Sequence, residues 1–148
     1  MADPLTTALG FLPHGPEFRF VDRLLSLTPG RQGAGEYRIR GDEPFLKGHF
    51  PGDPMMPGVV LIEAAAQLAG VVAQSDPHLP PLLALKLAAV QSAKIFGTAR
   101  PGERLRLEAR IVGRMGSLIQ AEATVSVEER LLLQTSLVLG GYAGGTGA

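Results

Sequence analysis

One stretch constrains this chain more than any other. Between Pro57 and Gln74 the sequence is apolar on nearly every side: Val59, Val60, Leu61, Ile62, Ala64, Ala65, Ala66, Leu68, Ala69, Val71 and Val72. Pro57 suits the first position of a helix, and Ser75-Asp76-Pro77-His78-Leu79-Pro80-Pro81 ends one. A helix with no wet face is buried rather than laid on a surface. It needs cover all round, and its alanines let a sheet or a second copy approach closely. Glu63 and Gln67 interrupt it four residues apart, so they share one face. They also make the stretch too short and too polar for a membrane span.

The rest of the chain offers the cover. Gly35–Arg40 alternates as a half-buried strand does, and strands are predicted over Leu82–Val90, Arg104–Val112, Leu118–Val127 and Leu131–Leu139. Phe18–Leu27 mixes apolar and charged residues and stops at the turn signal Thr28-Pro29-Gly30. Breaks fall at Arg100-Pro101-Gly102-Glu103, Gly113–Gly116 and Glu128–Arg130. A buried helix amid five or six antiparallel strands is an α+β architecture, a sheet wrapped around a central helix. With 148 residues, no internal repeat and no linker, residues 1–148 read as one domain, and 141–148 as a flexible Gly-rich tail.

Composition excludes several functions. There is no cysteine, hence no disulfide, thiolate metal site or cysteine nucleophile. Fourteen basic residues balance fourteen acidic ones, and there is no Trp, so a nucleic-acid binder is not indicated. The N-terminus lacks a basic region followed by a long apolar core, and a cytoplasmic protein is expected. Charge is uneven, however. Lys86, Lys94, Arg100, Arg104, Arg106, Arg110 and Arg114 face only Glu103 and Glu108 in the same segment. These are solvated strand faces or a basic rim for an acidic partner.

Chemistry concentrates in Gly48–Gln67. His49 sits in a loop with three Gly and three Pro in eleven residues, which holds a side chain in a fixed orientation. Glu63 on a buried helix is costly unless paired or protonated, and an apolar site suits a proton donor. The Gly58 and Val59 amides at the helix start have no partner inside the helix and suit an oxyanion. His14 and His78 lie beside prolines with no partner in view. No HxxxH pair, GxSxG elbow, GxxxxGK[ST] loop or GxGxxG is present, so neither a metal nor a cofactor is expected.

These residues carry a resemblance. Gly48–Gln67 is similar, without a gap, to the pattern GHFPxxPxMPGVxxxEAxAQ of the bacterial 3-hydroxyacyl-acyl-carrier-protein dehydratases of fatty-acid synthesis, the FabZ/FabA group. Leu12-Pro13-His14 with Val21-Asp22-Arg23, and Arg100–Leu105, resemble further pieces of it. The resemblance implies a hotdog fold, a homodimer with a sheet continuous across the interface, and assembly into hexamers as a trimer of dimers. It implies that each site takes His49 from one subunit and Glu63 from the other, and a Glu at that position points to the FabZ type. His49 is then the base at C2 and Glu63 the acid at the C3 hydroxyl. Gly58 and Val59 hold the thioester oxygen, and Gln67 orients Glu63 or a water. Phe50, Met55 and Met56, with Phe45 and Ile62, are candidate walls for the acyl chain.

The chain departs from that pattern in two places. Gly15 stands where the family carries Arg, and Ser92–Thr98 lacks two or three cations of the family's basic run, with Lys47, Lys94 and Arg100 as substitutes. Acyl carrier protein is the expected partner. A CoA thioester or a secondary-metabolite carrier protein is the alternative, as are a hotdog thioesterase and a non-catalytic acyl-binding subunit.

Overall fold

The structure is a computed structural model that describes residues 3–144. A short helix α1 (Pro4–Leu9) precedes strands β1 (Arg23–Thr28) and β2 (Gln32–Arg38). The long helix α2 (Gly58–Gln74) follows, and then β3 (Leu82–Ile95), β4 (Arg104–Met115), β5 (Leu118–Val127) and β6 (Arg130–Ala143). The six strands form one antiparallel sheet in the order β1-β2-β4-β5-β6-β3.

The sheet curls around α2, which packs on five of its strands. Alternation decides which residues face the helix: Leu105, Leu107 and Ala109 of β4, and Ile119, Ala121, Ala123 and Val125 of β5, are buried, with exposed residues between them along β4 and most of β5. Leu61, Ala64, Ala65, Leu68, Ala69 and Val72 meet them from the helix with no accessible surface. Alanines at three of these six positions bring helix and sheet close. Cover is incomplete at the helix start, where Val59 is 72% exposed.

Several boundaries differ from the sequence reading. Pro57 caps α2 in extended conformation rather than opening it, so the helix starts at Gly58. β3 runs on to Ile95 and β4 to Met115. β-bulges let β3 continue past the point where its alternation fails, and Gly113 lies at a register shift inside β4. The flexible tail expected from residue 141 is corrected over Gly141–Ala143, which belong to β6. A Cβ on Gly141 would come within 2.8 Å of the Leu83 carbonyl oxygen, so glycine there permits close pairing rather than fraying. Residues 145–148 of that tail lie outside the described residues.

The edge strand β3 is unusual. Ten consecutive residues at its C-terminal end are exposed, and the apolar Leu83, Leu87, Val90 and Ile95 stand among its accessible side chains.

Candidate active site

Glu63 lies on the first half of α2, on the helix face that the sheet leaves open. Its side chain keeps 23% of its surface accessible, so the fully buried carboxyl expected from the helix pattern is corrected to one that opens on a cavity. The cavity is about 740 Å³. Glu63, Ala66, Gln67, Gly70 and Gln74 form its helix wall, at the spacing of one face. Leu83, Leu85 and Leu87 of β3 form a second wall, and the segment from Gly10 to His14 a third.

Gln67 is buried and fully used. Its Nε2 donates to Glu63 Oε2 (2.9 Å) and to the Phe18 carbonyl (2.9 Å), and its Oε1 accepts from the Phe20 amide (2.8 Å). The amide is thereby locked in one orientation, and through it Glu63 is tied to the segment before β1. His14 meets the same carboxyl: its Nε2 lies 3.3 Å from Glu63 Oε2. That contact corrects the expectation that His14 has no partner. Forty-nine residues separate the two in the chain, so no local pattern announces it. Arg19 holds the His14 segment by donating to the Leu12 (3.3 Å) and His14 (3.1 Å) carbonyls.

His49 occupies a separate site in the protomer. Its Nδ1 lies 2.9 Å from the Met55 carbonyl oxygen. A carbonyl only accepts, so Nδ1 carries the hydrogen and Nε2 of the neutral ring is left as a free base. The loop is clamped at both ends, with Met55 N donating to His49 O (2.8 Å) and Met56 N to Ala99 O (2.8 Å). The ring stacks on Phe50, with centroids 4.1 Å apart. Neither His49 nor Phe50, Met55 or Met56 lines the Glu63 cavity of its own protomer. Phe50 is 49% exposed, Met55 is half-buried, and Met56 is in the core. The walls that the sequence reading did not name are Phe11, Leu12, Phe18 and the β3 leucines.

At the start of α2, Val60 and Leu61 both donate to the Pro57 carbonyl (2.9 and 3.2 Å), while Gly58 and Val59 donate to no backbone carbonyl among the described residues. A Cβ on Gly58 would sit 2.6 Å from Ile95 Cδ1, so a side chain at residue 58 would push the half-exposed Ile95 side chain of β3 aside.

The cationic segment is largely self-neutralised. Arg100 pairs with Asp53, Arg104 with Glu36, Arg106 with Glu108 and Arg110 with Glu122. Lys86, Lys94 and Arg114 make no ion pair among the described residues.

A sheet curled around one buried helix, with a carboxyl fixed beside an apolar cavity, defines an α+β protein of hotdog fold. The fold is similar to that of a chain in the dehydratase heterocomplex ApeI:P from Xenorhabdus doucetiae, with a TM-score of 0.76, 16% identity and 90% of each chain covered. Residues 12–136 match the FabA-like domain family. The chain is 39% identical over 133 residues to the 3-hydroxyacyl-acyl-carrier-protein dehydratase FabZ of Syntrophobacter fumaroxidans, covering 88% of each. It is 35% identical over 130 residues to the FabZ of Chloroflexus aggregans, covering 88% of this chain and 90% of that one. The chain belongs to the FabA-like family of dehydratases.

Proposed function

We propose that the chain is a hydro-lyase that removes water from 3-hydroxyacyl chains carried as thioesters on acyl carrier protein, giving the trans-2-enoyl product of fatty-acid synthesis. The observation that carries this reading is the Glu63 carboxyl, fixed by Gln67 against an apolar cavity of about 740 Å³. An acyl chain fills such a cavity, and the carboxyl stands where a hydroxyl near the thioester end can reach it.

In the proposed mechanism His49 Nε2 takes the C2 proton as the C2–H bond breaks. Negative charge moves onto the thioester oxygen, which the free Gly58 and Val59 amides stabilise together with the positive end of α2. Glu63 protonates the C3 hydroxyl, the C3–O bond breaks, and water leaves as the C2–C3 double bond forms. His49 lies outside the Glu63 cavity of its own protomer, so the site pairs Glu63 with His49 of the partner subunit. The exposed apolar edge of β3 supports a dimer whose sheet continues across it, because an uncovered edge of that length invites aggregation. Trimerisation of such dimers belongs to the same reading, as does a cytoplasmic location. The acyl wall then draws on Phe50, Met55 and Met56 as well as on the β3 leucines. Among the described residues no helix is long and apolar enough to cross a membrane.

The test is conversion of 3-hydroxyacyl to trans-2-enoyl chains on carrier protein and on CoA, followed by the absorbance of the enoyl thioester. Faster turnover on carrier protein is expected. Equal or greater rates on CoA would move the assignment to a CoA hydratase, and release of free thiol to a thioesterase. His49→Ala is expected to fold and to lose nearly all activity.

A further inference from the structure

We propose that His14 is a positioning residue for Glu63: its Nε2–H donates to Glu63 Oε2 and so fixes which carboxyl oxygen carries the catalytic proton. The inference rests on the dehydratase reading and deepens it.

Two observations bear on the ring. Nε2 is 3.3 Å from Glu63 Oε2, while Nδ1 is buried with no hydrogen-bond partner among the described residues. In a neutral imidazole one nitrogen carries hydrogen and the other a lone pair. A buried N–H with no acceptor is a rare and costly arrangement, and an under-used acceptor is tolerated better. The hydrogen therefore belongs on Nε2, facing the carboxyl, and Nδ1 keeps the bare lone pair. The ring is held there by the segment around it. It stacks on Phe18 with centroids 6.2 Å apart, and Arg19 anchors the His14 carbonyl (3.1 Å).

The consequence lies on Glu63. Gln67 donates one N–H to Oε2 (2.9 Å), and His14 Nε2 stands 3.3 Å from the same oxygen, so the proposed N–H of His14 makes the second approach to it. Oε1 receives no donor among the described residues. A proton on this carboxyl then resides on Oε1, and Oε1 is the oxygen that delivers it to a hydroxyl in the cavity. After delivery, Gln67 and His14 stabilise the charge left on the carboxylate. Gln67 alone leaves one position of Oε2 free, and the proton can then sit on the wrong oxygen.

The test compares His14→Leu, His14→Gln, Glu63→Gln and the double variant H14L/E63Q in the dehydration assay, with thermal unfolding to confirm folding. His14→Leu should lower kcat about 10- to 100-fold, the worth of one hydrogen bond to a charged group, with KM little changed. His14→Gln, which keeps an N–H donor, should recover most of that loss. In the Glu63→Gln background His14→Leu should cost nothing further, because its partner carboxyl is gone. Nitrogen-15 spectra of the wild-type histidines should show an Nε2–H tautomer at one half-buried ring, a signal that is absent from His14→Gln. Losses that multiply in the double variant, a loss confined to KM, or an Nδ1–H tautomer at His14 would each overturn the proposal. A Glu63→Gln variant as active as wild type would instead remove the reading beneath it, and that outcome needs no His14 variant to be seen.

Discussion

At the residue scale, one buried amide does the work of three contacts. Gln67 joins the helix to two backbone groups of the Phe18–Phe20 segment and to Glu63 at once. Replacing it with Leu keeps the volume but strands the Phe20 amide, now without an acceptor, in the core. The expected cost is about 1–3 kcal/mol of stability, read as a lower urea midpoint with an unchanged m-value. Activity should fall as well, since Glu63 loses a donor. Gln67→Glu separates the two effects: it still offers an acceptor to Phe20 but sets a second carboxyl against Glu63. Its stability should suffer most at neutral pH and recover toward acid, as either carboxyl takes up a proton.

At the scale of elements, the turn leaving β2 is held by a single carboxylate. Glu43 accepts from the Tyr37 hydroxyl (2.5 Å) and from the Arg40 (3.0 Å) and Gly41 (2.7 Å) amides. Gly41 has φ of +110°, a conformation that side-chain-bearing residues avoid. Burial pushes the Glu43 carboxyl up, but these donors together outweigh it and hold it below its ordinary value of 4.5. The same site, by burial first and then by the Glu43 carboxylate, pushes the Tyr37 hydroxyl far above its usual range. Glu43 is thus more acidic folded than unfolded. Its contribution is complete above the unfolded value and is lost as pH falls through the lower folded one. Glu43→Gln should destabilise by about 1–2 kcal/mol near neutrality, and the gap from wild type should narrow as the pH falls below the ordinary carboxylate value and through the lower folded one. Chemical denaturation at several pH values measures it.

That turn was not legible in the sequence, whereas α2 was, to within one residue. The difference is physical. An all-apolar run has one stable destination, and strict alternation in β4 and β5 fixes their faces, so local composition suffices. Glu43 acts on the turn just before it, through Tyr37, Arg40 and Gly41, but an acid after a glycine is too common a pattern to announce that role. His14 acts on a partner forty-nine residues away, and nothing beside it in the chain marks that partner. β3 shows the intermediate case: its start at Leu82 is readable, but bulges break its period and hide the last five residues. His49, Glu63 and Gln67 stood out because a carboxyl, an amide and an imidazole are conspicuous in a Gly/Pro-rich loop and an apolar helix. The cavity walls did not, because leucines on β3 look like any strand.

For the whole molecule the question is which copy of His49 serves which Glu63. If the site is closed within one protomer, two inactive variants remain inactive when mixed. If it is shared across a two-fold dimer, His49→Ala and Glu63→Gln complement each other. The hybrid then holds one site with neither group and one with both, His49 coming from the E63Q subunit and Glu63 from the H49A subunit. Random pairing makes half the dimers hybrid, and half the sites in each hybrid are intact, so about a quarter of wild-type activity is expected. Unfolding and refolding the two variants together supplies the mixing, and the unmixed variants refolded alone are the baseline. A charge on the β3 edge gives the complementary measurement. Val90, 43% exposed, stands among the apolar side chains that a second copy would cover. Val90→Glu should halve the mass seen by light scattering if the dimer is the whole assembly, and reduce it further if dimers are themselves assembled. Activity should disappear with the dimer, although both proposed catalytic side chains, His49 and Glu63, are still present. A Val90→Glu protein that is monomeric and fully active would show that one protomer closes its own site.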